Sequence, residues 1–162
     1  MKVRIAHSGD APAIAAIWNP VIRTSAATFN AVEKSASDIA LMITERQAQG
    51  HGFWVAQDDT QTLGFVTYAQ FRAGQGYAHT MEHTVVLSDQ ARGRGVGRLL
   101  LETAEQHART AGHHSMFAGV SGENTDGIAF HQKLGYLPIA ILPAVGFKFG
   151  RWMDLHLLQK LL

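Results

Sequence analysis

Met81-Glu82-His83-Thr84-Val85-Val86-Leu87, followed by Ser88 to Gly97 (SDQARGRGVG), is the most informative segment of the chain. The first seven residues read as a strand, rich in β-branched and apolar positions. The loop Arg92-Gly93-Arg94-Gly95-Val96-Gly97 then opens a helix in which Val96, Leu99, Leu100, Thr103, Ala104 and His107 recur at helical spacing up to Gly112. Closely spaced glycines let backbone N–H groups converge on one point, and the following helix aims the positive end of its dipole there. Such a loop suits a phosphate or pyrophosphate, with Arg92 and Arg94 adding charge; it would serve equally as a plain tight strand-to-helix turn. A P-loop would need Lys-Ser/Thr after its last glycine, where Arg98-Leu99 stand. A dinucleotide fingerprint would need Gly-x-Gly-x-x-Gly, whereas these glycines fall at 93, 95 and 97.

Upstream of this segment, Val3 to Ala6 reads as a strand, and Ser8-Gly9-Asp10 with Pro12 opens a helix carrying Ile14, Ile17 and Trp18. Asn19-Pro20 should stop or kink that helix. Ser35 or Ser37 caps a second helix with Ile39, Met42 and Ile43 on one side, ending at Gly50. Phe53 to Ala56 and Leu63 to Tyr68 flank the turn Asp58-Asp59-Thr60 as a hairpin. The strand before the glycine loop begins near His79. Downstream, Ser115 to Val120 reads as a strand, Asn124 to Leu134 as a short helix, and Tyr136 to Leu142 and Phe147 to Leu158 as two more strands. Early helices, a meander, then strand–helix–strand–helix–strand imply one α/β domain over residues 1–162, its mixed sheet covered by helices on both faces.

Composition removes other classes. With 162 residues, 46% hydrophobic and 17% charged, the chain can bury a core and is not disordered. Fourteen Lys+Arg against 13 Asp+Glu leave +1, no excess for binding nucleic-acid phosphates. There is no Cys, hence no disulfide, thiolate nucleophile or Cys-ligated zinc. The nine His show no convincing third metal ligand by spacing, so no metal is expected. The first residues lack a signal-peptide core, and the apolar run Leu134 to Phe147 falls short of the ~20 residues of a membrane span. A cytoplasmic protein without membrane contact is expected.

Arg92-Gly93-x-Gly95-x-Gly97 after a strand resembles the acetyl-CoA pyrophosphate loop of the GNAT N-acetyltransferase superfamily. Asn124 to Tyr136 resembles the superfamily's later Asn…Lys-x-Gly-Phe/Tyr element. Met81 to Val85, Phe130 to Tyr136, Gly146 to Asp154, and Trp18 to Ile22 followed by Ser25 to Asn30 are similar, more narrowly, to the phosphinothricin/methionine-sulfoximine acetyltransferase branch. The resemblance covers almost the whole chain. It implies a mostly antiparallel, twisted sheet of about seven strands, a homodimer to which the C-terminal strand contributes, and acetyl transfer from acetyl-CoA to the amine of phosphinothricin, methionine sulfoximine or methionine sulfone. Another amino acid, a polyamine or a peptide amine as acceptor, or a CoA-binding sensor without catalysis, are the competing readings.

Amine attack requires deprotonation, since such amines titrate above 7. Glu82, a carboxylate in an otherwise apolar or small strand, is the first candidate for the base, directly or through water; the blander reading pairs it with a basic residue. It precedes Leu87 by five steps, roughly 17 Å, a span an extended pantetheine arm matches. His83 and His131 compete for proton transfer, after Glu82; His83 should face away from Glu82 unless a bulge intervenes, and the superfamily fold implies a bulge near here. His131 occupies the position where the resemblance implies protonation of the departing CoA sulfur. Main-chain groups of Val85, Val86 and Leu87 should pair with pantetheine, residues Arg92 to Gly97 should hold the pyrophosphate, and Asn124 should bond the arm, cap its own helix, or both. For the acceptor, Arg72 is a candidate carboxylate anchor, with Phe29 and Tyr77 as walls and His83 nearby. Lys148 and Trp152 lie in the matching C-terminal motif with no separate role assigned.

Overall fold

The computed structural model describes every residue from Met1 to Leu162. Its strands are β1 (Lys2–Ile5), β2 (Phe53–Asp58), β3 (Gln61–Gln70), β4 (Thr80–Leu87), β5 (Ser115–Ser121), β6 (Leu137–Lys148) and β7 (Arg151–Leu161); its helices are α1 (Ala11–Thr24), α2 (Ala36–Ala48), α3 (Val96–Thr110) and α4 (Thr125–Lys133). The strands form one sheet in the order β1-β2-β3-β4-β5-β7-β6. Every neighbouring pair is antiparallel except β4 and β5. This is the mixed, mostly antiparallel seven-stranded α/β sheet the sequence implies.

Alternation along β2 and β3 divides the core between the two faces. Phe53, Val55 and Phe65 pack with Ile14, Trp18 and Ile22 of α1 and Ile39 and Ile43 of α2. Trp54, Val66 and Tyr68 pack on the opposite side with Leu100, Leu101 and Ala104 of α3. The buried face of α3 is rotated from the one its periodicity suggests. Leu101, Glu105 and Ala108 point inward, while Leu99 faces solvent and Thr103 is only half-buried.

Pro20 does not end α1, which continues to Thr24. An internal proline costs about 3 kcal/mol, but continuing the helix buries Ile22 completely, worth roughly 1.5–3 kcal/mol. Asn19 adds a reciprocal pair of hydrogen bonds with the Lys34 backbone, both 2.9 Å. Ser35, not Ser37, caps α2: its hydroxyl accepts from Asp38 N, and Asp38 accepts from Ser35 N. At the start of the chain, Arg4 clamps the buried Asp10 carboxylate with bonds of 2.8 and 2.7 Å. That guanidinium holds Asp10 below the usual carboxylate range against the cost of burial.

The last hairpin differs from its sequence reading. β6 runs on through Phe147 and Lys148, and the turn falls at Phe149-Gly150, both with positive φ (54° and 71°). Ala144, at φ 53°, sits in an irregularity between Leu142 and Gly146, where its N–H donates to Asp154 Oδ1 at 2.9 Å.

What positions the site is the contact between β4 and β5. They pair only from Thr80–Ser115 to Glu82–Phe117 and then diverge, while β5 keeps all seven residues in register with β7. The edge of β4 from His83 to Leu87 is therefore unpaired on that side.

Candidate active site

A cleft of about 340 Å³ opens where β4 and β5 part. Glu82 to Leu87 form one wall, Gly119 to Ser121 and Leu155 the other, and Trp18, Val21 and Ala27 to Asn30 close the α1 side. Asn124 and His131 border it from α4. The structure thus gathers Glu82, His83, Val85, Val86, Leu87, Asn124, His131 and Phe29 around one space.

Register along β4 against β3 is unbroken, so the expected bulge is absent. Glu82 and His83 consequently face opposite sides of the sheet. Glu82 is half-buried on the α1–α2 side and makes no hydrogen bond or ion pair, and burial raises its carboxyl above the usual range. Its Oε1 lies 2.6 Å from where a Cβ on Gly119 would stand. A glycine within β5 is what admits this carboxylate.

His83 and His131 stack on the other side, ring centroids 5.0 Å apart and 21° from parallel. Both are buried, and three of their ring nitrogens lack partners: both of His83 and Nε2 of His131. His131 Nδ1 lies 2.7 Å from the Gly127 carbonyl oxygen. A carbonyl only accepts, so Nδ1 carries the proton and neutral His131 presents a lone pair at Nε2. Burial pushes His131 below the ordinary imidazole range, against opposing pulls from the Gly127 carbonyl and Glu105. Burial, then the neighbouring His131, push His83 down further. Behind the pair, Tyr136 donates to Glu105 at 3.0 Å and Lys160 closes on the same carboxylate at 2.6 Å.

Beyond Leu87 lies the glycine loop. Gly93 and Gly95 take positive φ (71° and 75°), and nothing lies within 4 Å of where their Cβ atoms would stand. Gly97 serves packing instead: its Cβ would sit 3.1 Å from Leu87 and from Phe130. The first-turn N–H groups of α3, beginning at Val96, have no intrahelical acceptors and are free for an anion. Arg92 and Arg94 are exposed and paired with Asp89 and Asp58 respectively. Asn124 caps α4, its Oδ1 accepting from Gly127 N at 2.9 Å.

Arg72 and Tyr77 are not part of the cleft's lining. They stack on each other, guanidinium to ring centroid 5.5 Å, in the exposed β3–β4 connection. Lys148 is buried and donates to the backbone oxygens of Ser25 (2.7 Å) and Thr28 (2.9 Å). It pins the segment that supplies Ala27 to Asn30 to the cleft, and burial lowers its ammonium pKa. Phe29 lies over Gly146, where a Cβ would come within 2.5 Å of its ring. Trp152 is exposed and packs on Phe147 at 4.9 Å. Gly119 and Arg46, described below, are residues the sequence reading missed. An isolated glycine in a strand and an arginine on an apolar helix stripe were the signals.

The splayed parallel pair with its free strand edge, leading to a glycine loop that opens a helix, forms a slot for an extended ligand ending in an anion. Comparison with known proteins agrees. Residues 18–136 match the acetyltransferase (GNAT) family model. The chain is 34% identical over 159 residues to the L-amino acid N-acyltransferase MnaT of Escherichia coli K12, covering 98% of this chain and 92% of that protein. It is 33% identical to the L-methionine sulfoximine/L-methionine sulfone acetyltransferase of Salmonella typhimurium, covering 98% and 93%. A phosphinothricin acetyltransferase from Sinorhizobium meliloti, solved in complex with acetyl-CoA, superimposes with a TM-score of 0.94 at 29% identity, over 99% of this chain and 88% of that one. The chain belongs to the GNAT acetyltransferase family and is an acetyl-CoA-dependent N-acyltransferase. No helix is long and apolar enough to cross a membrane.

Proposed function

We propose that this enzyme acetylates the amino group of a small amino-acid-like acceptor of the methionine sulfoximine, methionine sulfone or phosphinothricin type, with Glu82 as general base. The observation that carries the reading is Glu82 itself: a half-buried, unpaired carboxylate at the point where β4 and β5 separate. Names of the relatives above support the acceptor class.

Acetyl-CoA supplies the thioester. The β4 edge at Val85 to Leu87 pairs with the pantetheine amides, Asn124 borders the arm, and Arg92 to Gly97 take the pyrophosphate once Arg92 and Arg94 exchange their surface carboxylates for it. Two protons then need destinations. Glu82 removes the first from the acceptor ammonium and passes it to solvent. The second leaves nitrogen as the C–N bond forms, and the departing sulfur must gain one. His131 Nε2, a buried lone pair without a partner, accepts this proton and returns it to sulfur. Burial keeps His131 neutral between turnovers, with His83 stacked on its ring.

The exposed apolar side chains Ile139, Ile141, Val145, Phe147 and Trp152 on the edge hairpin support a homodimer formed through β6 and β7. A cytoplasmic enzyme is proposed, and the balanced charge of the chain fits the lack of a nucleic-acid partner.

A thiol-release assay with acetyl-CoA tests the proposal against phosphinothricin, methionine sulfoximine, methionine sulfone, ordinary amino acids, spermidine and a short peptide, with Glu82→Gln beside the parent. Turnover confined to amino-acid analogues, with a loss of about 10²-fold or more in the variant, supports it. Turnover only on spermidine or peptide overturns the acceptor class. Acetyl-CoA binding without turnover on anything supports a sensor instead.

A further inference from the structure

A second, smaller cavity of about 130 Å³ lies on the α1–α2 side of the sheet, lined by Arg46, Thr67, Tyr68, Ala69, Gln70, Glu82 and Thr84. Glu82 and Thr84 also line the main cleft, so the two spaces meet at the proposed base. Arg46 follows Ile39 and Ile43 at i, i+4, i+7 on the buried stripe of α2. A guanidinium thus stands where the helix pattern calls for an apolar side chain. It forms no salt bridge, and its Nε is buried without a partner. Taking a cation's N–H out of water without an acceptor is costly unless an anion arrives to accept it. The acceptors lining the same cavity do not meet that need: neither Thr67 Oγ1, Gln70 Oε1 nor the Glu82 carboxylate bonds to the guanidinium.

We infer that this side cavity is the carboxylate subsite of the acceptor, and that Arg46 rather than Arg72 is its anchor. The inference rests on the amino-acid reading above and deepens it. A planar guanidinium matches a carboxylate bidentately. With the carboxylate on Arg46, the α-amine falls at the junction of the two cavities beside Glu82. The acceptor side chain then extends into the main cleft toward Thr28 and Phe29. An acceptor without an α-carboxylate leaves Arg46 unsatisfied, so the subsite selects amino acids over simple amines.

The test compares L-methionine sulfone with its α-carboxamide as acceptors for the parent enzyme and for Arg46→Gln, Arg46→Lys and Arg72→Gln. Acetyl-CoA affinity and melting temperature report folding. The parent should prefer the carboxylate in kcat/KM by about 10- to 100-fold, the range of a charge-assisted pair. Arg46→Gln should collapse that ratio toward one, Arg46→Lys should restore part of it, and Arg72→Gln should leave it standing. A collapsed ratio in Arg72→Gln with an intact one in Arg46→Gln overturns the assignment and restores Arg72 as the anchor. Equal use of both acceptors by the parent overturns the subsite while leaving amino-acid acetylation in place. Failure of the parent on every amino-acid acceptor overturns both readings together.

Discussion

Adding one methyl group at Gly119 probes the proposed base without replacing it. The Cβ of Gly119→Ala would stand 2.6 Å from Glu82 Oε1, whereas ordinary van der Waals contact begins near 3.4 Å. The carboxylate must therefore retreat by about 0.8 Å, the difference of the two. A misplacement of about 1 Å in a catalytic constellation costs on the order of 10²-fold in rate, so kcat should fall by roughly 30- to 100-fold. Gly119 is exposed in the cleft wall and has a strand conformation that alanine shares, so the melting temperature should hold. Acetyl-CoA affinity should hold as well, since the change lies at the Glu82 end of the cleft. The decisive measurement is a double-mutant cycle in the thiol-release assay. If the methyl acts by moving Glu82, it should have almost no further effect on the Glu82→Gln background. Equal losses on both backgrounds, or kcat within threefold of the parent, would refute the reasoning.

Three further outcomes are expected. Because burial raises the Glu82 pKa, the folded state retains a proton there over a pH range in which the unfolded chain has lost it. Folding stability conferred by this group therefore falls as pH rises from the ordinary carboxylate range through the raised pKa. Glu82→Gln should melt higher than the parent at neutral pH, the gap closing toward acid, while the parent's kcat/KM climbs through that same raised pKa; a variant that melts lower at pH 7 contradicts this. Lys148→Met removes both tethers to Ser25 and Thr28 and should cost about 2–3 kcal/mol in denaturant unfolding. It should raise the acceptor KM without changing acetyl-CoA affinity, and loss of stability with an unchanged KM would make the tether purely structural. Ala at Gly95, forced to φ 75°, should weaken acetyl-CoA binding several-fold in a calorimetric titration, an unchanged affinity arguing against a role for that loop.

Much of this fold was legible because its signals are local. The strand at Met81 to Leu87, the glycines at 93 and 95 and the helical spacing after them each declare themselves within a few residues. The α2 cap and the β2–β3 hairpin did so too. Errors arose where tertiary packing overrode a local rule. Pro20 normally stops a helix, but the depth of Ile22 and the Asn19 bonds outweigh it. The turn at Phe149-Gly150 was hidden because phenylalanine rarely adopts positive φ. At the site, Glu82 was readable as a charge out of place in a strand. Arg46 was the same signal on a helix, at a stripe whose direction only the fold reveals. Arg72 drew attention by its place at a strand end, yet the connection carries it outward to Tyr77.

The three residue pairs joining β4 to β5 also carry a thermodynamic consequence. Two subassemblies, β1–β4 with their helices and the β5–β7 arm, share the apolar core around α3 but few backbone bonds, so the rest of that seam offers free donors and acceptors to a ligand. If the cosubstrate lies along Val85 to Leu87 as proposed, it bonds that free edge and its binding energy adds to the stability of the fold. At a hundredfold excess over its dissociation constant it adds about 2.7 kcal/mol. For a chain of this size that is a rise in melting temperature of roughly 5–11 °C. Stability of the sheet and occupancy of its free edge are in this sense one quantity.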